Sequence, residues 1–165
     1  TTGVSTINLR ILNTGLDGNS RKSVAEALNG VLADTYTLYQ KTHAYHWNVT
    51  GPQFATLHVL FEGQYREMWA ALDEIAERVR ALGFFAPASG KAFAALASID
   101  SAESAPPAAM DMVRNLLAGH ETLIRRAREA LAAAEGANDA ASADLLTQRM
   151  QIHEKTAWML RAMTE

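Results

Sequence analysis

Apolar residues recur every three or four positions along four long stretches of the chain, the spacing that puts them on one face of a helix. From about Ser20 to Thr50 the face carries Val24, Leu28, Val31, Leu32, Thr35, Leu38 and Tyr39, with Ser20 or Ser23 as the expected N-cap. "NVTGPQ" is a turn broken by Gly51–Pro52. A second helix is predicted from about Phe54 to Leu82, stopping at Gly83. "GFFAPASG" reads as a loop, and 91–99 as a short helix. Ser104 is the expected cap of a third long helix, with Pro106 and Pro107 in its first turn and Gly136 just past its end. "NDAAS" opens a fourth, carrying Leu145, Leu146, Met150, His153, Ala157 and Leu160.

No stretch alternates as a strand would. Four long helices, one tight hairpin and one long middle connection with a short helix give an all-α, four-helix bundle with a single crossover. That architecture includes the ferritin-like class. Residues 1–19 read as an irregular tail and 20–165 as one domain.

Composition narrows the chemistry. The chain has no Cys, which excludes disulfides, thiolate metal sites and thiol catalysis. No apolar run is long enough for a membrane span, and "TTGVSTINLR" lacks the apolar core of a signal peptide. A cytoplasmic protein is expected. The net charge of −3 means that nucleic-acid binding would need a local basic patch.

The second helix holds the candidate site. At about 100° per residue, with His58 at zero, Glu62, Asp73 and Glu77 fall at about 40°, 60° and 100°. The apolar stripe of Leu57, Phe61, Met68, Leu72 and Ile75 centres near about −50°. The four polar residues therefore share the shoulder of the core stripe with Trp69 and Ala76. Shoulder positions are often polar for no other reason. Asp73 and Glu77, however, are a like-charge i,i+4 pair, which mildly destabilises a helix. The pair calls for a positive partner: Arg66, Arg80 or a metal.

His58/Glu62 and Asp73/Glu77 are centred 15 residues apart, roughly 22 Å along the axis. Metal–ligand bonds are about 2 Å, so each pair is half of a site. The pairs are symmetric about Glu67–Met68. An antiparallel copy of the helix across a two-fold axis there brings His58/Glu62 of one chain to Asp73/Glu77 of the other, twice. His46, at the same height before the turn as His58 after it, joins the first half, with His43 one turn further down. Two imidazoles and three carboxylates without thiolate suit Fe(II), with Zn(II) as a competitor. Intrachain di-iron bundles use Glu-x-x-His. That motif precedes none of the five histidines here.

"THAYHWNVTGPQFATLH", "FEGQYREMWAALDEIAERVRALG" and "HEKTAWMLRAM" resemble the Dps proteins, the mini-ferritins of starved bacteria. The resemblance runs from about Ser20 to the end. It implies a hollow twelve-chain shell with ferroxidase sites of two irons at two-fold interfaces. His46, His58 and Glu62 would come from one subunit, and Asp73 and Glu77 from its neighbour. It further implies Fe(II) oxidation, preferably by hydrogen peroxide, storage of ferric mineral, and Trp47 beside the site as a radical trap or as interface packing. Glu62 stands where the family most often has Asp. For the acidic iron-entry pore the candidates are Asp139 and Asp144, against a plain N-capping role. His120 and His153 read as ordinary helix residues. The alternative function is a nucleoid-binding structural shell. Against it, residues 1–22 carry a net charge of only +2, and twelve chains at −3 each total about −36, which repels phosphate. Weak or absent DNA binding is expected.

Overall fold

A computed structural model describes residues 12–165, whose regular elements are five α-helices: α1 (Gly18–Asn48), α2 (Phe54–Ala81), α3 (Gly90–Leu96), α4 (Ala109–Gly136) and α5 (Ala140–Ala162). Short connections make α1 antiparallel to α2, and α4 antiparallel to α5. Residues 82–108 form the long crossover between the two hairpins, and α3 lies within it. This is the expected four-helix bundle. Residues 1–11 of the expected tail lie outside the described residues; 12–17 hold no helix.

Several helix ends differ from the sequence reading. α1 starts two residues earlier, because Asp17 rather than a serine caps it, accepting from Ser20 N at 2.7 Å. α4 starts at Ala109, past both prolines, with Ala108 as an uncapped N-cap. Ala105 and Pro106 each precede a proline, which drives both out of the helical region, so Ser104 cannot cap a continuous helix. Gly136 is the last helical residue of α4; the left-handed position belongs to Asn138, at φ 57°. Asn138 N bonds Glu135 O and Asp139 N bonds Ala134 O, closing a Schellman motif. α2 ends the same way around Gly83, at φ 95°.

The predicted stripes meet in one core. Val24, Leu28 and Leu38 of α1, Leu57, Phe61, Met68 and Ile75 of α2, Leu116 and Leu123 of α4, and Leu146 and Leu160 of α5 are buried. A few polar groups tie the elements together. Asp34, fully buried on α1, accepts from Ser98 N, Ser98 Oγ, Ile99 N and Arg126 Nη1. Those bonds take the amides that a longer α3 would need, so α3 stops at Leu96 instead of reaching residue 99. Across the α2–α5 seam, Arg78 pairs with Asp139 at 3.0 Å and Arg149 with Glu67 at 2.6 Å.

Candidate metal centre

His46 sits in the last turn of α1 and His58 in the second turn of α2, on either side of the Gly51 turn. Each ring bonds the other residue's backbone: His46 Nδ1 donates to His58 O at 2.6 Å, and His58 Nδ1 donates to His46 O at 2.7 Å. A carbonyl only accepts, so both Nδ1 atoms carry the proton and both Nε2 lone pairs are free. The same carbonyl bond commonly orients metal-binding histidines. The rings lie face to face, with centroids 3.8 Å apart and planes at 12°. Glu62, one turn along α2, places Oε1 4.0 Å from His46 Nε2.

The other predicted half lies on the same helix and the same side. Asp73 and Glu77 are exposed, and among the described residues neither has an ion-pair partner. Neither arginine offered by the sequence serves them. Arg66 turns to Glu62 at 3.7 Å, and Arg80 donates to Phe84 O and covers the Phe85 ring. Asp73 opens onto a groove lined with Leu32, Tyr36, Trp69 and Phe93. Trp69 is 62 % exposed there, so a wide apolar surface runs beside the unpaired carboxylates. No group of three or more histidine, aspartate or glutamate side chains among the described residues could hold a metal within one chain.

Three further candidates are placed as follows. His43 makes its own contacts beside the His46–His58 pair: its Nδ1 meets the Tyr39 hydroxyl at 3.1 Å, and its ring stacks on Tyr65 at 3.9 Å. Burial, then the neighbouring His46, lowers its pKa. Trp47 is 64 % exposed and packs on His43, with centroids 4.0 Å apart, rather than on His46 or His58. Asp139 is the N-cap of α5, its carboxylate buried and engaged by Ser142 and Arg78. Asp144 is exposed and, among the described residues, accepts only from Gln148.

Residues 25–165 match the ferritin-like domain family. A "DNA protection during starvation protein" of Brevibacillus brevis is 39 % identical over 86 % of this chain and 95 % of its own. A second such protein, from Bacillus anthracis, is 38 % identical over 86 % of this chain and 96 % of its own. The crystal structure of the Dps protein of Vibrio cholerae O1, described as a member of the ferritin-like diiron-carboxylate superfamily, superposes with a TM-score of 0.89 at 29 % identity, covering 98 % of this chain and all of that one.

The chain belongs to the Dps family. In this Dps chain no helix among the described residues is long and apolar enough to cross a membrane.

One constellation in the Dps chain escaped the sequence reading. His120 of α4 and His153 of α5, taken as ordinary helix residues, are both 1 % exposed and face each other with Nδ1 atoms 2.9 Å apart. The available signal was their place in the helical pattern: His120 follows Leu116 by four positions and precedes Leu123 by three, and His153 sits within the apolar stripe of the last helix.

Proposed function

We propose that the protein is a ferroxidase mini-ferritin. It oxidises Fe(II) at dinuclear sites shared by two chains across a two-fold axis and keeps the ferric product inside a twelve-chain shell. Each site takes His46, His58 and Glu62 from one chain and Asp73 and Glu77 from its neighbour. The observation that carries this reading is the reciprocal His46–His58 bonding, which leaves both Nε2 lone pairs free, that of His46 4.0 Å from Glu62. The complementary carboxylates stand unpaired farther along the same helix. The oxidant is hydrogen peroxide: two Fe(II) each give one electron to one peroxide, the O–O bond breaks, and two hydroxides and two Fe(III) result. The relatives named for DNA protection support this role, since removing iron and peroxide together protects DNA without contact.

The donor set fits iron as substrate, with nitrogen and oxygen ligands and no thiolate. Zn(II) fits the same atoms and competes. Glu62 adds one methylene to the family's usual aspartate, which lengthens the reach of that carboxylate and brings it within range of Arg66. Iron would enter through acidic pores, where exposed Asp144 is the better placed of the two candidates. Such a shell acts in the cytoplasm.

Anaerobic Fe(II) with added peroxide tests the reading. Wild type should oxidise the iron and retain the mineral, whereas Asp73→Ala/Glu77→Ala and His46→Ala/His58→Ala should not. Shells assembled from both inactive variants should regain part of the activity, because some interfaces then contain one intact site. Failure to regain any would refute the shared site.

A further inference from the structure

His120 and His153 form the centre of a hydrogen-bonded chain that crosses the bundle, and its proton positions follow from its ends. Arg149 Nη1 and Nη2 donate to the two Glu67 oxygens at 2.6 and 2.7 Å, and Nη2 lies 3.0 Å from His153 Nε2. A guanidinium only donates, so His153 Nε2 is the acceptor and carries no proton. His153 Nδ1 therefore holds the hydrogen and donates it to His120 Nδ1. His120 in turn is protonated at Nε2, a buried donor with no partner among the described residues. Every imidazole lone pair is thus already occupied. A proton can enter only by displacing Arg149 from His153, or His153 from His120.

We propose that this chain is an acid-sensitive latch between the two helical hairpins. It holds α2, α4 and α5 together while both histidines are neutral and releases them when either takes a proton. Protonating His153 at Nε2 sets two donors and two cations against each other at the Arg149 contact, and the Glu67–Arg149 bridge to α2 loses its inner support. Protonating His120 at Nδ1 sets two N–H donors against each other at the contact between α4 and α5. A metal ion is not a substitute occupant. Binding at His120 Nε2 would reverse both tautomers and point His153 Nε2–H at Arg149, and the guanidinium itself repels cations.

Among the described residues, the surroundings offer no carboxylate free to compensate. On α5 the facing group is Arg149, and on α2 it is Glu67, whose two oxygens are already bridged to Arg149. On α4, Glu121 is half-exposed and reaches to Arg161 at 3.9 Å. On α1, the neighbour of Gly119 is Leu38, and Lys41 donates away to Asp100 O. Burial, followed by Arg149, pushes His120 down to about 3, and burial, followed by His120 and then Arg149, holds His153 well below its ordinary value. Because the folded values are depressed, the latch is fully closed above the unfolded value of about 6.5. Its contribution is lost progressively as pH falls from there toward the folded values.

Glutamine at both positions reproduces the neutral pattern, with a carbonyl for Arg149 and an amide donor for residue 120, yet it cannot titrate. The test follows urea unfolding of the full chain by circular dichroism from pH 7.5 to 4.5. Below about pH 6 the wild-type unfolding constant should rise up to about 100-fold per pH unit more steeply than that of His120→Gln/His153→Gln, tenfold for each histidine. Equal slopes would overturn the latch. Should the variant fail to fold, deuterium exchange at histidine C2–H, read by mass spectrometry on the wild-type assembly, decides instead. Neither residue should titrate between pH 8 and 5, and an ordinary step near 6.5 at either one would refute the proposal.

Discussion

Arg126 occupies the space that a side chain on Gly30 would need. A Cβ built on Gly30 would lie 2.5 Å from the guanidinium of Arg126. From there Arg126 donates to buried Asp34 and to Leu96 O, anchoring the end of α3 to α1 and α4. Gly30→Ala should expel the guanidinium and strip Asp34 of its counter-charge. The expected cost is about 2 kcal/mol, read as a lower urea midpoint. Gly63→Ala, where a Cβ meets nothing within 4 Å, should cost nothing and is the control.

His58→Ala removes one Nε2 donor and the bond from the His58 ring to His46 O, while the His46 ring keeps its bond to the backbone carbonyl of residue 58. Zn(II) affinity, measured calorimetrically on the assembled protein, should fall by more than about tenfold. Stability should fall by only about 1 kcal/mol, the worth of one hydrogen bond. A large loss of stability with unchanged Zn(II) binding would make the pair a helix staple rather than a ligand set.

Asp139 and Asp144 should separate cleanly on mutation. Asp139→Ala loses an N-cap and leaves Arg78 half of a partly buried pair, costing about 2–3 kcal/mol. Asp144→Asn should leave the urea midpoint in place but slow iron uptake. If Asp139→Ala alone slows uptake without destabilising, the pore assignment belongs to Asp139.

Tyr45 donates to Glu103 Oε2 at 2.7 Å, and that bond is the leading cause of a lowered Glu103 pKa. A depressed carboxylate stabilises the fold above its unfolded value of about 4.3 and loses that effect as pH falls through the folded one. Tyr45→Phe should therefore lower the urea midpoint at pH 7, with the difference shrinking below about pH 4. A difference independent of pH would assign the effect to packing alone.

DNA should not be retained by the assembled protein in a gel-shift assay at about 150 mM salt. Strong retention that weakens steeply with added salt would show a basic surface formed on assembly.

The bundle was legible because its four stripes obey one period and its turns carry Gly or Pro. The placement of His58, Glu62, Asp73 and Glu77 along one side of α2 was legible for the same reason: angle and rise along one helix follow from residue number alone. Helix ends were less so. The start of α4 was misplaced because Pro106 and Pro107 were read for their own helical preference and not for what each does to the residue before it. The end of α4 was misplaced because Gly136 drew attention from Asn138. His120 and His153 were passed over because nothing local marks them; their partners lie 33 residues apart on facing helices. Arg66 and Arg80 could not be assigned partners from spacing, since each has several within reach.

α2 runs unbroken from Phe54 to Ala81, without proline, and this makes it a ruler. The distance and the twist between the His58/Glu62 and Asp73/Glu77 pairs are counted in residues rather than set by packing. Exposed side chains between Glu62 and Asp73, such as Arg66, can change without moving either pair, but one inserted or deleted residue would swing Asp73 and Glu77 about 100° around the axis and strand them on another face. Length, more than composition, is what this segment cannot alter.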